Sequence, residues 1–158
     1  MVVSVRAATE LDAASLSLLN SDVQALHAAA FPERFKPVGP DTFPPGVARE
    51  ILANSNNLVF IAEIDAEAAG YVYAEVISRP ETSISYAYQI VYIHHLSVRS
   101  QFQRQGIGSR LIDAVREATR ARGIERVTLD FWTFNRTAEA FFKQQGFTSF
   151  NERLWQVV

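Results

Sequence analysis

Cysteine is absent from the 158-residue sequence, which removes disulfides, thiolate metal sites and a cysteine nucleophile from consideration. No apolar run approaches the ~18 residues of a membrane span. The opening MVVSVRAATE lacks the basic-then-apolar order of a secretory leader, so the expectation is a soluble, cytoplasmic protein without membrane partners. Net charge is nearly absent as well: a balance of −2 argues against a non-specific nucleic-acid binder. Histidine is scarce, with 3 in the chain. The adjacent pair His94 and His95 has no third ligand at suitable spacing, so no metal site is expected.

What is present fits one ordinary domain covering residues 1–158. Hydrophobic residues make up 48% and charged residues 20% of the chain, the composition of a chain that builds a core rather than of a disordered tail. The near-neutral total conceals an asymmetry. Residues 1–98 carry 5 basic and 11 acidic side chains, whereas residues 99–126 carry 7 arginines against Asp113, Glu117 and Glu125. A local cluster of Arg suits a small polyanion better than a DNA-binding face. For Arg116, Arg120 and Arg122 the alternative is a solvated helix face.

Element by element, Val2, Val3 and Val5 suggest a first strand. Thr9 and Asp12 look like a capping pair opening a helix that carries Leu11, Leu18, Leu19, Val23 and Leu26. Pro32, Pro37, Pro40, Pro44 and Pro45 make the next stretch irregular, with Pro45 placed to start a short helix through Ala53. Leu58 to Ile64 and Gly70 to Ile77 read as a hairpin, and Tyr86 to Val98 as a long strand. Leu111, Ile112, Val115, Ala118 and Thr119 fall on one helical face, and Gly123 ends that helix. Val127 to Trp132 returns to strand, Thr137 to Gln145 to helix and Phe147 to Val157 to strand. The order β-α-α-β-β-β-α-β-α-β is that of an α/β domain with a mixed central sheet flanked by helices. Its strand–helix–strand unit from Tyr86 to Trp132 suits a parallel pair with a right-handed crossover.

Between that strand and its helix lies Gln103-Arg104-Gln105-Gly106-Ile107-Gly108-Ser109. The first turn of a helix leaves N–H groups without partners and carries about half a positive charge. Glycines there let the backbone approach an anion closely, which makes a ready site for phosphate or pyrophosphate. A P-loop needs Gly-Lys-Ser/Thr, and Gly108-Ser109 has no Lys; a dinucleotide fold wants a third glycine where Leu111 stands. A purely structural reading also exists, in which Gly106 and Gly108 permit helix–sheet contact.

The pattern Gln/Arg-x-x-Gly-x-Gly/Ala after a strand resembles the acetyl-CoA signature of the GNAT acyltransferase superfamily, and Gln103 to Gly108 match every fixed position. Downstream, Asn135, Ala138, Phe142, Gly146 and Phe147 follow that superfamily's Asn-x-x-Ala-x-x-x-Tyr/Phe-x-x-x-Gly-Phe pattern. The resemblance covers about residues 58–147. It implies a GNAT-like fold and an acetyl-CoA-dependent N-acetyltransferase. The amides of Gln103, Arg104, Gln105, Gly106, Ile107 and Gly108, with Ser109, would hold the CoA pyrophosphate. Leu96, Ser97 and Val98 would pair with the pantetheine arm like an added strand. Arg99 and Arg104 would meet phosphate charges or lie at the surface, and Asn135 would bond the cofactor arm, cap the helix that follows, or do both.

The implied reaction is direct attack by a primary amine of a small molecule or peptide on the thioester. A base must first take a proton, and a backbone N–H, that of Val98, would steady the oxyanion. His94 and His95 are the base candidates, since imidazole titrates near about 6.5. Adjacent strand residues point to opposite faces, so one of the two is expected to face the site. Superfamily members often carry Glu, Asp or His four residues before the equivalent of Val98, which selects His94; Glu63 and Glu75 on neighbouring strands are the other candidates. Phe142 stands where many members have a Tyr that protonates the leaving thiolate. Tyr86, Tyr88, Tyr92 or water would serve instead, or the thiolate leaves unaided. His27, Phe31, Phe35 and Phe43 offer aromatic surface to the acceptor, while Phe131 and Trp132 either line its pocket or pack in the core. Glu33 and Asp41 favour a cationic amine. The apolar segment Leu154 to Val158 is placed to pair across a homodimer. Two other functions remain open at this level: a non-catalytic acyl-CoA-binding sensor or scaffold, and a nucleotide-binding protein.

Overall fold

A computed structural model describes residues 2–158. Its elements run β1 (Val3–Ala7), α1 (Ala13–Leu19), α2 (Ser21–Ala30), α3 (Pro45–Ala53), β2 (Asn57–Ile64), β3 (Glu67–Arg79), β4 (Tyr88–Val98), α4 (Ile107–Ala121), β5 (Val127–Thr128) and α5 (Arg136–Gln144). Single 3-10 turns lie at Glu10–Asp12 and Ser100–Phe102. The strands form one sheet in the order β1-β2-β3-β4-β5. Neighbours are antiparallel except β4 and β5, which are parallel and joined through α4. The chain is therefore the α/β domain with a mixed sheet that its sequence implies. No helix among the described residues is long and apolar enough to cross a membrane.

Helices cover both faces of the sheet, so the central strands are apolar on both sides. On one face Leu58 and Ala62 of β2, Val72 and Ala74 of β3, and Val91 and Ile93 of β4 pack under Ile107, Leu111, Ile112 and Val115 of α4 and Phe142 of α5. On the other, Val59, Ile61 and Tyr71 meet Ala13, Leu16 and Leu19 of α1 and Ala48 of α3. The turn between β2 and β3 places Asp65 and Ala66 at φ of 47° and 71°, the double left-handed geometry that matches strand twist in two-residue hairpins. Asp65 Oδ1 accepts the Val2 N–H at 2.9 Å, tying this turn to β1.

Three elements differ from expectation. The helix expected after Asp12 is two helices parted at Asn20. Ser97 Oγ donates to the Leu19 carbonyl at 2.6 Å and Asn20 Nδ2 donates to Tyr71 Oη at 2.9 Å, so the sheet takes hold of the groups at the break. Leu11 and Leu18 are 95% and 77% exposed, and α1 packs through Ala13, Leu16 and Leu19 instead. β5 stops after Thr128 because its only partners on β4 are Val91 and Tyr92; beyond them the two strands separate. Phe147 to Val157 has no strand ladder, since the short β5 offers little edge to pair with, and Phe150, Leu154, Trp155 and Val157 are exposed.

Candidate active site

Where β4 and β5 part, β4 keeps a free backbone edge and runs into the turn before α4. Arg99 N–H bonds the Ala69 carbonyl of β3 at 2.9 Å. Backbone groups alternate sides along a strand, so those of Val98 and Leu96 face the open edge. Gln103 Nε2 donates to the Val98 carbonyl at 3.1 Å, which fixes the turn against the strand end. Gly106 caps α4 with φ of 79° and Arg104 precedes it at φ of 60°. The turn is exposed from Gln103 to Gly106, while the Ile107 side chain is buried in the core. The amides of Arg104 through Ser109 have no hydrogen-bond partner among the described residues; the first bond of this turn is Arg110 N–H to the Gly106 carbonyl. Six N–H groups without partners at a helix start suit the diphosphate of a coenzyme, and the open β4 edge suits an extended amide-bearing arm.

Gly108 has a second task. A Cβ there would meet Phe141 Cζ at 3.0 Å, so this glycine makes room for a contact between α4 and α5, a helix–helix contact rather than the helix–sheet one the sequence suggested. Gln145 Nε2 donates to Ser109 Oγ at 2.9 Å, joining the same two helices. Asn135 Oδ1 accepts the Ala138 N–H at 3.1 Å and so caps α5, leaving its side-chain amide as a donor. Arg99 pairs with Glu67 at 2.9 Å, whereas Arg104 has no carboxylate partner among the described residues.

A β-bulge interrupts the β3–β4 ladder beside the histidines. Tyr73 lies opposite His95 and Ala74 opposite Ile93, so His94 is the extra residue. The bulge overturns the expectation that one histidine faces away from the other. Ile93 and Leu96 lie on the α4 side, while both imidazoles pack against Tyr73 on the α1–α3 side. His94 stacks on Tyr73 with centroids 4.7 Å apart and meets the Tyr92 edge at 4.8 Å. Its Nε2 lies 2.7 Å from Glu75 Oε2. A carboxylate only accepts, so Nε2 carries the proton and Nδ1 keeps the lone pair. His95 is largely buried; Nδ1 lies 2.9 Å from Tyr71 Oη, and burial, with the neighbouring charges of His94 and His27, pushes its pKa down to about 4.

Glu63 does not join this group. It pairs with Arg6 at 2.7 Å, and Arg6 also holds Asp12 at 2.9 Å. Val59 is the β2 residue level with Tyr73, so Glu63 sits four positions and ~13 Å farther along the strand. Its role is to fix β1 and the Thr9–Asp12 turn, where Asp12 Oδ2 accepts the Thr9 N–H at 2.7 Å. Phe142 does not line the cleft either. It is 8% exposed and packs against Phe131, Phe141 and Phe147, a core position where a hydroxyl would need a partner. Tyr86 and Tyr88 are exposed on the far β3–β4 hairpin. Tyr92 is beside His94, and its hydroxyl donates to Asp130 at 2.7 Å. Burial first, then Asp130, pushes its pKa up to about 12.

Phe31, Phe35, Trp132, Phe134 and His27 form one aromatic group, and Phe43 meets His95 at 5.4 Å. Trp132 thus leaves the core, whereas Phe131 stays in it. The proline-rich loop carrying Phe35 and Phe43 is pinned by Ser17 Oγ to the Phe43 carbonyl and Gln24 Nε2 to the Lys36 carbonyl, both at 2.6 Å. Sequence reasoning missed the Asn20–Tyr71–His95 chain and the stacking of Tyr73. An Asn at the helix break and Tyr at alternate strand positions were visible, but nothing local links them.

Comparison with known proteins gives a consistent picture. The family model described as acetyltransferase (GNAT) matches residues 21–147. An uncharacterised N-acetyltransferase in the pepI 3′ region of Lactobacillus delbrueckii subsp. lactis is 24% identical over 104 residues, covering 66% of this chain and 59% of that protein. The human N-acetyltransferase 8 is 27% identical over 101 residues, covering 64% of this chain and 43% of its own length. The chain therefore spans about half the length of these relatives. Among solved structures, a tetramutant of the BH1408 protein from Bacillus halodurans superposes with a TM-score of 0.93 at 20% identity, covering 98% of this chain and 99% of that one. AAC(6′)-Iy in complex with a CoA-containing bisubstrate analogue superposes with a TM-score of 0.79 at 18% identity, over 100% and 99% of the chains.

Proposed function

The chain belongs to the acetyltransferase (GNAT) family, and from that premise we propose that it transfers an acetyl group from acetyl-CoA to a primary amine of a small molecule or peptide by direct attack. The single observation that carries this reading is the run of unpartnered amides from Arg104 to Ser109, set at the end of a free strand edge that also bears the His94–Glu75 pair. Acetyl-CoA supplies an acyl group already activated as a thioester. The amides bind the diphosphate, and the backbone of Leu96 and Val98 holds the extended arm. His94 Nδ1 takes the amine proton while Glu75 fixes the ring through Nε2, the base-and-orienter arrangement of acid–base catalysis. The N–H steadying the carbonyl oxygen is that of Val98, whose backbone, like that of Leu96, faces the open edge of β4.

No tyrosine is needed for the leaving group. Tyr92 holds its own proton, which it directs to Asp130 as a hydrogen bond, and a thiol with a pKa of about 8.5 leaves as thiolate unaided. Phe142, the one feature in favour of a non-catalytic acyl-CoA sensor, is explained by its place in the core. The test is incubation with acetyl-CoA and a panel of amines, following free thiol. Turnover that falls about a hundredfold in His94→Ala, with coenzyme affinity unchanged, is the expected outcome. Coenzyme binding with no turnover on any amine contradicts the transferase reading and favours the sensor. A homodimer through Leu154 to Val158 belongs to the same reading, supported by the exposed apolar side chains there; sedimentation equilibrium with and without residues 149–158 tests it.

A further inference from the structure

His95 is a largely buried titratable group beside the reaction centre to which the proposed chemistry gives no task. Its surroundings define its state. Asn20, at the break between α1 and α2, donates from Nδ2 to Tyr71 Oη at 2.9 Å. The Tyr71 hydroxyl is then left to donate onward, and the atom in reach is His95 Nδ1 at 2.9 Å. An imidazole that accepts at Nδ1 carries its proton on Nε2. Nε2, across the ring from Nδ1, is turned away from the Tyr71 hydroxyl, and the ring itself packs edge-to-face against Phe43 and Tyr73. Nε2 has no hydrogen-bond partner among the described residues, yet it is not sealed in: the buried polar side-chain atoms without partners there are Asn57 Oδ1 and Thr128 Oγ1. The ring therefore keeps a single free donor that is not fully enclosed.

We infer that His95 is a positioning residue of the acceptor site, a fixed hydrogen-bond donor whose Nε2–H, aimed by the chain from Asn20 through Tyr71, takes an oxygen carried next to the reacting amine. The inference deepens the transferase reading and rests on it. It divides the labour between the two histidines. His94, held by a carboxylate from outside, is the base; His95, held by a phenol from inside, selects and orients. Burial among Tyr71, Tyr73 and Phe43 keeps the His95 ring uncharged at neutral pH, with the positive charge of a protonated His94 or His27 acting in the same sense.

Two measurements on the full chain test this. Nitrogen-15 NMR of the histidine rings is expected to find His95 as the Nε2–H tautomer, untitrated between about pH 5 and 8, with a mixture of tautomers in Tyr71→Phe. An Nδ1–H tautomer, the result if the Asn20 amide is reversed, or titration within that range overturns the inference with or without any substrate. Acetyl transfer is then compared between phenethylamine and phenylalanine amide, which differ by a carboxamide group beside the amine, with kcat/KM expressed per unprotonated amine so that their different basicities drop out. The wild type is expected to favour the amide by about three- to tenfold in kcat/KM, the worth of one neutral hydrogen bond. That preference persists in His95→Gln, disappears in His95→Ala through KM, and leaves the pH profile of kcat in place. Equal use of the two amines by the wild type, or a His95→Ala variant that loses kcat about a hundredfold, contradicts it. If neither amine is acetylated, the transferase reading loses these substrates while the NMR result still decides the state of His95.

Discussion

At His94 the proton on Nε2 rests against Glu75, so the basic atom is Nδ1 and its direction depends on one carboxylate. Glu75→Gln keeps the size of that partner but frees the ring to rotate or change tautomer. The account predicts that kcat falls about tenfold or more with little change in coenzyme affinity, a loss intermediate between wild type and His94→Ala; steady-state kinetics on both variants check it. His95 makes a separate prediction about stability. The folded ring takes its proton only near pH 4, the unfolded ring at about 6.5. Between those values the unfolded chain binds the extra proton, so this contribution is whole above about 6.5 and is lost as pH falls toward 4. The expected loss is on the order of 3 kcal/mol, read as a falling urea midpoint, and the slope flattens in His95→Gln. Asp12, held down to about 2 chiefly by its hydrogen bonds from Arg6, loses its contribution only below that window. His94 was a base candidate from its place before Val98, and Glu75, which the structure sets against it, was among the carboxylates in view. That both imidazoles share a face was not legible, because strict alternation assumes an unbulged strand.

Elements whose signals are local were read correctly. Pro45 opens α3 and Gly123 closes α4, the latter at φ of 69° with Ile124 N–H reaching the Thr119 carbonyl at 3.2 Å. The hairpin before Gly70 and the crossover from β4 to β5 also appear as expected. What failed depends on partners far in sequence: the break at Asn20 is set by Tyr71 and Ser97, and the length of β5 by how soon β4 turns away. Gly108 belongs to this class, since its constraint comes from Phe141. Gly108→Ala is predicted to cost about 1–3 kcal/mol by overpacking the α4–α5 contact, seen as a lower Tm. Ala66 offers the opposite case. It holds φ of 71°, a conformation that costs a non-glycine residue about 1 kcal/mol, so Ala66→Gly is predicted to raise stability, less what glycine adds to unfolded-chain entropy. Differential scanning calorimetry on the two variants distinguishes a fall from a rise.

In the whole molecule, the parting of β4 and β5 turns a packed sheet into a site. The helix layer of α4 and α5 brings the open turn at Gly106 to one end of the parted strands. On the opposite face, the one covered by α1, α2 and α3, the aromatic group lies beside the two histidines of β4. The arginine-rich stretch from Arg99 to Arg126 signalled an anion partner, and the structure adds to its guanidinium groups a run of unpartnered backbone donors from Arg104 to Ser109. Composition reports side-chain charge and is blind to bare amides; only the glycine spacing marked them. Titration calorimetry of the protein with coenzyme A therefore tests the account most directly. The wild type is predicted to bind, and Gly106→Glu, which puts a carboxylate at the helix start and strains a left-handed position, to bind about tenfold or more weakly. No heat of binding with the wild type, or equal affinity in the variant, would contradict it.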